Sequence, residues 1–76
     1  MAQFPELSKN TNVITSYELG TTDGMFISLN NLNNRKRNCK GKLLSYVPGH
    51  GGDVWFIKHS KNDIAAYSIN EFAVLL

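Results

Sequence analysis

The sequence predicts a small all-β domain of roughly five to six short antiparallel strands, closed into a barrel or packed as a sandwich. Two observations carry that expectation. Apolar and β-branched residues recur at alternate positions in short runs, and no segment sustains the period of an amphipathic helix of ordinary length. Clusters of Gly, Asn and Pro separate those runs. A flat sheet of so few strands would leave its faces and edges wet, so closure is expected.

Taken in order, "NVITSYEL" (12–19) places Val13, Thr15, Tyr17 and Leu19 on one face of a strand and Ile14 on the other. "GTTDG" follows, with Asp23-Gly24 as a turn signal, and leads into "MFISL", where Met25, Ile27 and Leu29 point one way. These two runs read as a hairpin or as an arm leading into one. The polar stretch "NNLNNRKRNCKGK" (30–42) reads as a loop, and "KLLSYV" as a strand stopped by Pro48. "PGHGGD" is a turn cluster whose glycines supply positive φ. "VWFIKH" is the strongest strand, and "SKND" turns it back into "IAAYS". "INEF" suits one turn of 3₁₀ helix before a closing "AVLL". Residues 1–11 read as an N-terminal extension with at most one helical turn in "FPELSK", and 12–76 as the body of a single domain.

The layout from residue 25 to 75 resembles the SH3-like barrels of the KOW and Tudor type. These place a polar loop before a Gly-Lys-apolar-apolar strand, here Gly41-Lys42-Leu43-Leu44. A Gly-rich turn, an aromatic-bearing strand (Val54 to His59), a further strand, a 3₁₀ turn (Ile69 to Phe72) and a closing strand complete the likeness. It implies an SH3-like barrel and a binding role. Size, composition and the lack of disulfides are also similar to those of small bacteriophage-encoded proteins.

At 76 residues the chain sits near the lower limit for a single apolar core. Its 42% hydrophobic and 18% charged residues are those of a folded globular domain. The lone Cys39 excludes an intramolecular disulfide and leaves no CxxC zinc pair. No apolar run approaches a membrane span and no signal pattern opens the chain, so a cytoplasmic location is expected. The net charge of +2 is small, but its distribution is uneven. From Gly24 to Gly52 there is no acidic residue, while Arg35, Lys36, Arg37, Lys40 and Lys42 all fall there.

That cluster is the first candidate site. Arg35, Lys36, Arg37, Lys40 and Lys42 suit phosphates of nucleic acid or another polyanion, and the neighbouring asparagines suit bases or sugars. The plainer reading is a flexible solvated loop. Tyr46, Trp55 and Tyr67 are the candidate interface aromatics, because alternation in "VWFIKH" leaves Trp55 or Phe56 exposed or covered by a partner. Cys39 has cationic neighbours that favour thiolate, yet needs His50 or His59 as a base, and an ordinary thiol is the simpler reading. Cys39, His50, His59 and Asp53 show no paired ligand spacing, so no metal and no cofactor is expected. The "GHGG" turn lacks the Lys-Ser/Thr of a phosphate loop.

The resulting expectation is a binding module without catalysis, engaging nucleic acid or a ribonucleoprotein surface through the basic stretch, as a monomer or small homo-oligomer. A protein-docking adaptor or inhibitor of the bacteriophage type is the alternative, using an aromatic strand face or a sheet edge. A nucleotide-binding sponge is third.

Overall fold

The computed structural model describes residues 8–23, 25, 27–47 and 54–75. Five strands are present: β1 (Asn12–Thr15), β2 (Lys40–Val47), β3 (Val54–Ser60), β4 (Asp63–Ser68) and β5 (Phe72–Val74). A five-residue helix, α1 (Leu29–Asn33), precedes β2, and a 3₁₀ turn (Ile69–Glu71) joins β4 to β5. The "PGHGGD" turn with His50 and Asp53, the "FPEL" segment, Gly24 and Phe26 lie outside the described residues.

The strands form a single antiparallel sheet in the order β4-β3-β2-β1-β5. Strand number, the 3₁₀ turn and the strands read from "KLLSYV", "VWFIKH", "IAAYS" and "AVLL" agree with expectation. The barrel does not. The sheet is open, with β4 and β5 as its two edges, and the expected SH3-like barrel is therefore corrected to an open five-stranded sheet.

The physical reason lies at the β4 edge. Its outward carbonyls are already occupied: Asn31 Nδ2 and Asn34 Nδ2 donate to Ile64 O at 3.0 and 3.4 Å, and Arg35 Nη1 donates to Ala66 O at 2.9 Å. Side-chain donors thus cover the strand edge where a closing strand would pair.

"MFISL" is the second correction. Met25, Ile27 and Ser28 are not in a strand, and Leu29 opens α1. Both neighbours of β1 are taken, β2 on one side and β5 on the other, so a hairpin partner has no place beside it. Ser28 instead caps the helix, its hydroxyl accepting from Asn30 N–H. Strand β1 is also shorter than "NVITSYEL", ending at Thr15, and Tyr17 is 74% exposed.

Apolar residues pack on both faces of the sheet. Val13, Leu43, Trp55, Ile57, Ala65, Tyr67 and Phe72 form one core cluster. Met25, Val54 and Ala66 form a second, covered by Ile27, Leu32, Val47 and Phe56. The alternation Val54, Phe56 against Trp55, Ile57 thus feeds two cores, because the segment 25–32 crosses the face that was expected to be open. Trp55 is buried and Phe56 half-buried, so neither is an exposed interface residue.

Gly41 shows how tightly β2 lies on β3. A Cβ there would stand 2.5 Å from Ile57 Cγ2 and 3.0 Å from the Lys58 backbone carbonyl. The carbonyl is part of the ladder and has nowhere to move. Gly41→Ala is expected to lower stability by about 1–3 kcal/mol, read as a reduced urea midpoint with an unchanged slope. An unchanged midpoint would contradict this packing.

Candidate functional site

The stretch 30–42 divides into three parts with different fates. Its first part is α1. Its middle, Arg35–Cys39, is tied to the body of the protein rather than free in solvent. Lys36 N–H donates to Tyr67 Oη at 2.6 Å, and Asn38 N–H to Ser16 O at 2.9 Å. Thr15 Oγ1 donates to Lys36 O at 2.8 Å and accepts from Cys39 N–H at 2.9 Å. Asn38 takes a positive φ of 52°, which asparagine tolerates better than most residues. The flexible-loop reading therefore fails for this middle part.

Arg35, one of the residues expected to meet phosphate, points inward. Its guanidinium forms a fork with Glu71, Nη2 to Oε2 at 2.9 Å and Nη1 to Oε1 at 3.1 Å, with both side chains under a tenth exposed. It also donates to Gly20 O and lies over the Tyr67 ring, 5.3 Å from its centre. Glu71 in turn accepts from the backbone N–H of Ser68 and of Gly20. Burial alone pushes the Glu71 carboxyl up. The Arg35 hydrogen bonds, the two N–H donors and the Arg35 charge outweigh it and hold the group below the usual glutamate range.

Tyr67 and Trp55 are core residues, which removes two of the three candidate interface aromatics. Burial pushes the Tyr67 phenol up, against the Lys36 N–H bond and the Arg35 charge. Its hydroxyl also meets His59 Nε2 at 2.7 Å, while His59 Nδ1 meets Lys40 O at 2.8 Å. A carbonyl only accepts, so Nδ1 carries a proton, and Nε2 shares a hydrogen bond with the Tyr67 hydroxyl, which also lies 3.3 Å from Lys36 O. Both nitrogens are committed, which leaves His59 poorly placed to serve Cys39 as a base. Tyr46 does reach the surface, 37% exposed, with its ring 5.4 Å from that of Trp55.

The remaining cations face solvent. Arg37 is exposed, and Lys36 is half-exposed with Asp63 Oδ2 4.0 Å from its Nζ, a surface pair of little consequence. Lys40 and Lys42 begin β2 and line a cleft of about 570 Å³. Lys58 of β3 and Lys61 just beyond that strand line it too, together with Asn10 and Asn12. No carboxylate is among the described residues that line it.

Strand register assembles this cleft. Lys42 and Lys58 are direct cross-strand partners, and Asn12 is the partner of Lys42 on the other side. Lys40 lies two residues before Lys42, hence on the same face. Like charges placed directly opposite each other destabilise a sheet, so the Lys42–Lys58 pair works against the fold.

The sequence pattern located Lys40 and Lys42 but not Lys58 and Lys61 as parts of one cation set. The available signal was the hairpin: pairing "KGKLL" with "VWFIKH" through the intervening turn brings the lysines together. Among the described residues, no three His, Cys, Asp or Glu side chains gather to hold a metal, and no helix is long and apolar enough to cross a membrane.

No protein-family model matches the chain, and neither does any curated protein or solved structure. With the open sheet, this withdraws the SH3-like resemblance, and nothing supports a bacteriophage origin.

Proposed function

We propose that the protein binds nucleic acid electrostatically, through the lysine-lined cleft over β2 and β3, as a module that performs no catalysis itself. The observation that carries this reading is the grouping of Lys40, Lys42, Lys58 and Lys61 around one concavity with no carboxylate among its described lining residues. Four mobile ammonium groups held this way attract a string of phosphates, and the attraction needs no base-specific contact. The fold tolerates a repulsive Lys42–Lys58 pair, which makes sense if a ligand neutralises it. Arg37 and Lys36 stand outside the lining and extend the positive field. The adaptor reading is weaker, because Trp55 and Tyr67 are spent on the core.

The test is a salt titration of binding to a labelled oligonucleotide. With three to four phosphates engaged, affinity is expected to fall roughly 20- to 50-fold between 50 and 200 mM salt. Replacing Lys40, Lys42, Lys58 and Lys61 together by Gln is expected to remove most of both affinity and salt dependence. No binding at low salt would overturn the proposal, as would binding indifferent to the four substitutions.

A further inference from the structure

We infer that the cleft is built for a single unpaired strand rather than a duplex, an inference that rests on the nucleic-acid reading above and narrows its ligand. Three features of the cleft support it. The first is shape. Proteins read duplex base edges by inserting a projecting helix or β-ribbon into a groove. Here the cations line a concavity and are not carried on a projecting element of that kind.

The second feature is spacing. Lys40 and Lys42 are two residues apart on one strand face, about 6–7 Å along it. That is close to the step between successive phosphates along one strand, so the pair can follow a strand's backbone without a second strand. Lys58, the cross-strand partner of Lys42, stands beside the second of those positions on the same face. The cations thus form a short track rather than a scattered patch.

The third is the pair of amides in the lining. Asn10 and Asn12 both line it, and Asn12 is exposed on the edge of the row that runs on to Lys42 and Lys58. Asn10 is held with a positive φ of 73°, its backbone N–H donating to Leu43 O at 2.7 Å. The backbone is fixed while the side-chain amides of both residues stay out of the bonds that hold the fold. An amide donates and accepts side by side, as a base edge does, and asparagine pairs with adenine in this way. Base edges are open to such contact in an unpaired strand and face a partner base in a duplex. A strand seated with its phosphates on the lysines turns its bases toward these amides.

The experiment compares a fluorescently labelled mixed-sequence oligonucleotide, single-stranded and annealed to its complement, at one low salt concentration. The single strand is expected to bind at least about tenfold more tightly. Asn12→Ala, and separately Asn10→Gly with Asn12→Ala, are expected to weaken single-strand binding about fivefold while leaving the salt slope unchanged. Glycine at position 10 keeps the positive φ, and the single Asn12 variant guards against any effect on folding. Equal or tighter duplex binding overturns this inference and leaves the nucleic-acid reading standing. Amide substitutions without effect on single-strand binding also overturn it. Absence of binding to either form overturns both.

Discussion

Arg35→Ala is expected to destabilise the protein by about 3–5 kcal/mol, the largest effect of any single substitution considered. The variant leaves the Glu71 carboxylate buried without its cation, and exposes the Ala66 and Gly20 carbonyls to an empty space. A domain of this size has only about 4–11 kcal/mol of total stability, so a substantial share of it is at stake. The effect has a pH signature. The folded-state Glu71 is held below its usual range, so its contribution is complete above the unfolded-state value and is lost as pH falls through the folded one. In Arg35→Ala only the Ser68 and Gly20 N–H groups still oppose burial, so protonating Glu71 costs the variant less than it costs the wild type. Urea midpoints at pH 7 and near pH 4 are the measurement. The gap between wild type and variant is expected to narrow sharply at the lower pH, and a constant gap would show that the pair carries little of the stability.

Lys42→Glu is expected to move stability and binding in opposite directions. It converts a like-charge cross-strand pair with Lys58 into an attractive one, worth roughly 0.2–1 kcal/mol of added stability. It also removes a phosphate contact and places an anion in the cleft, so nucleic-acid affinity is expected to fall more than tenfold. The double variant Lys42→Glu, Lys58→Glu restores a like-charge pair, now acidic. Its stability is expected to return toward that of the wild type, with binding abolished. Urea denaturation and fluorescence anisotropy on the three variants separate the two quantities. If Lys42→Glu loses stability along with binding, the pair is not the functional strain described above.

These two sites mark what the chain discloses locally and what it does not. Strands β2, β3 and β4 and the 3₁₀ turn were legible because each is written in its own alternation and bounded by turn residues. "MFISL" misled because its alternation is real but its strand has no free neighbour, a fact decided by β5 from the far end of the chain. The barrel was overread for a similar reason. Closure depends on whether the β4 edge is available, and Asn31, Asn34 and Arg35 take it through bonds spanning about thirty residues, which no local pattern announces. Charge alone could not separate Arg35 from Arg37, because a guanidinium is drawn inside only when a carboxylate such as Glu71 is brought to meet it. Lys58 and Lys61 escaped notice because their partnership with Lys40 and Lys42 is a matter of register.

The pairing of β1 with β5 has a consequence for how the molecule comes into being. Val13 faces Val74, and Thr15 faces Phe72, so β1, once synthesised, must wait for β5 to emerge. Until Glu71 emerges, Arg35 has no counter-ion and the face of Tyr67 lacks part of its cover. A nascent chain halted before that point holds β2, β3 and β4 but lacks the piece that locks them. Such long-range closure favours slow, all-or-none folding once β5 is available over stepwise assembly strand by strand.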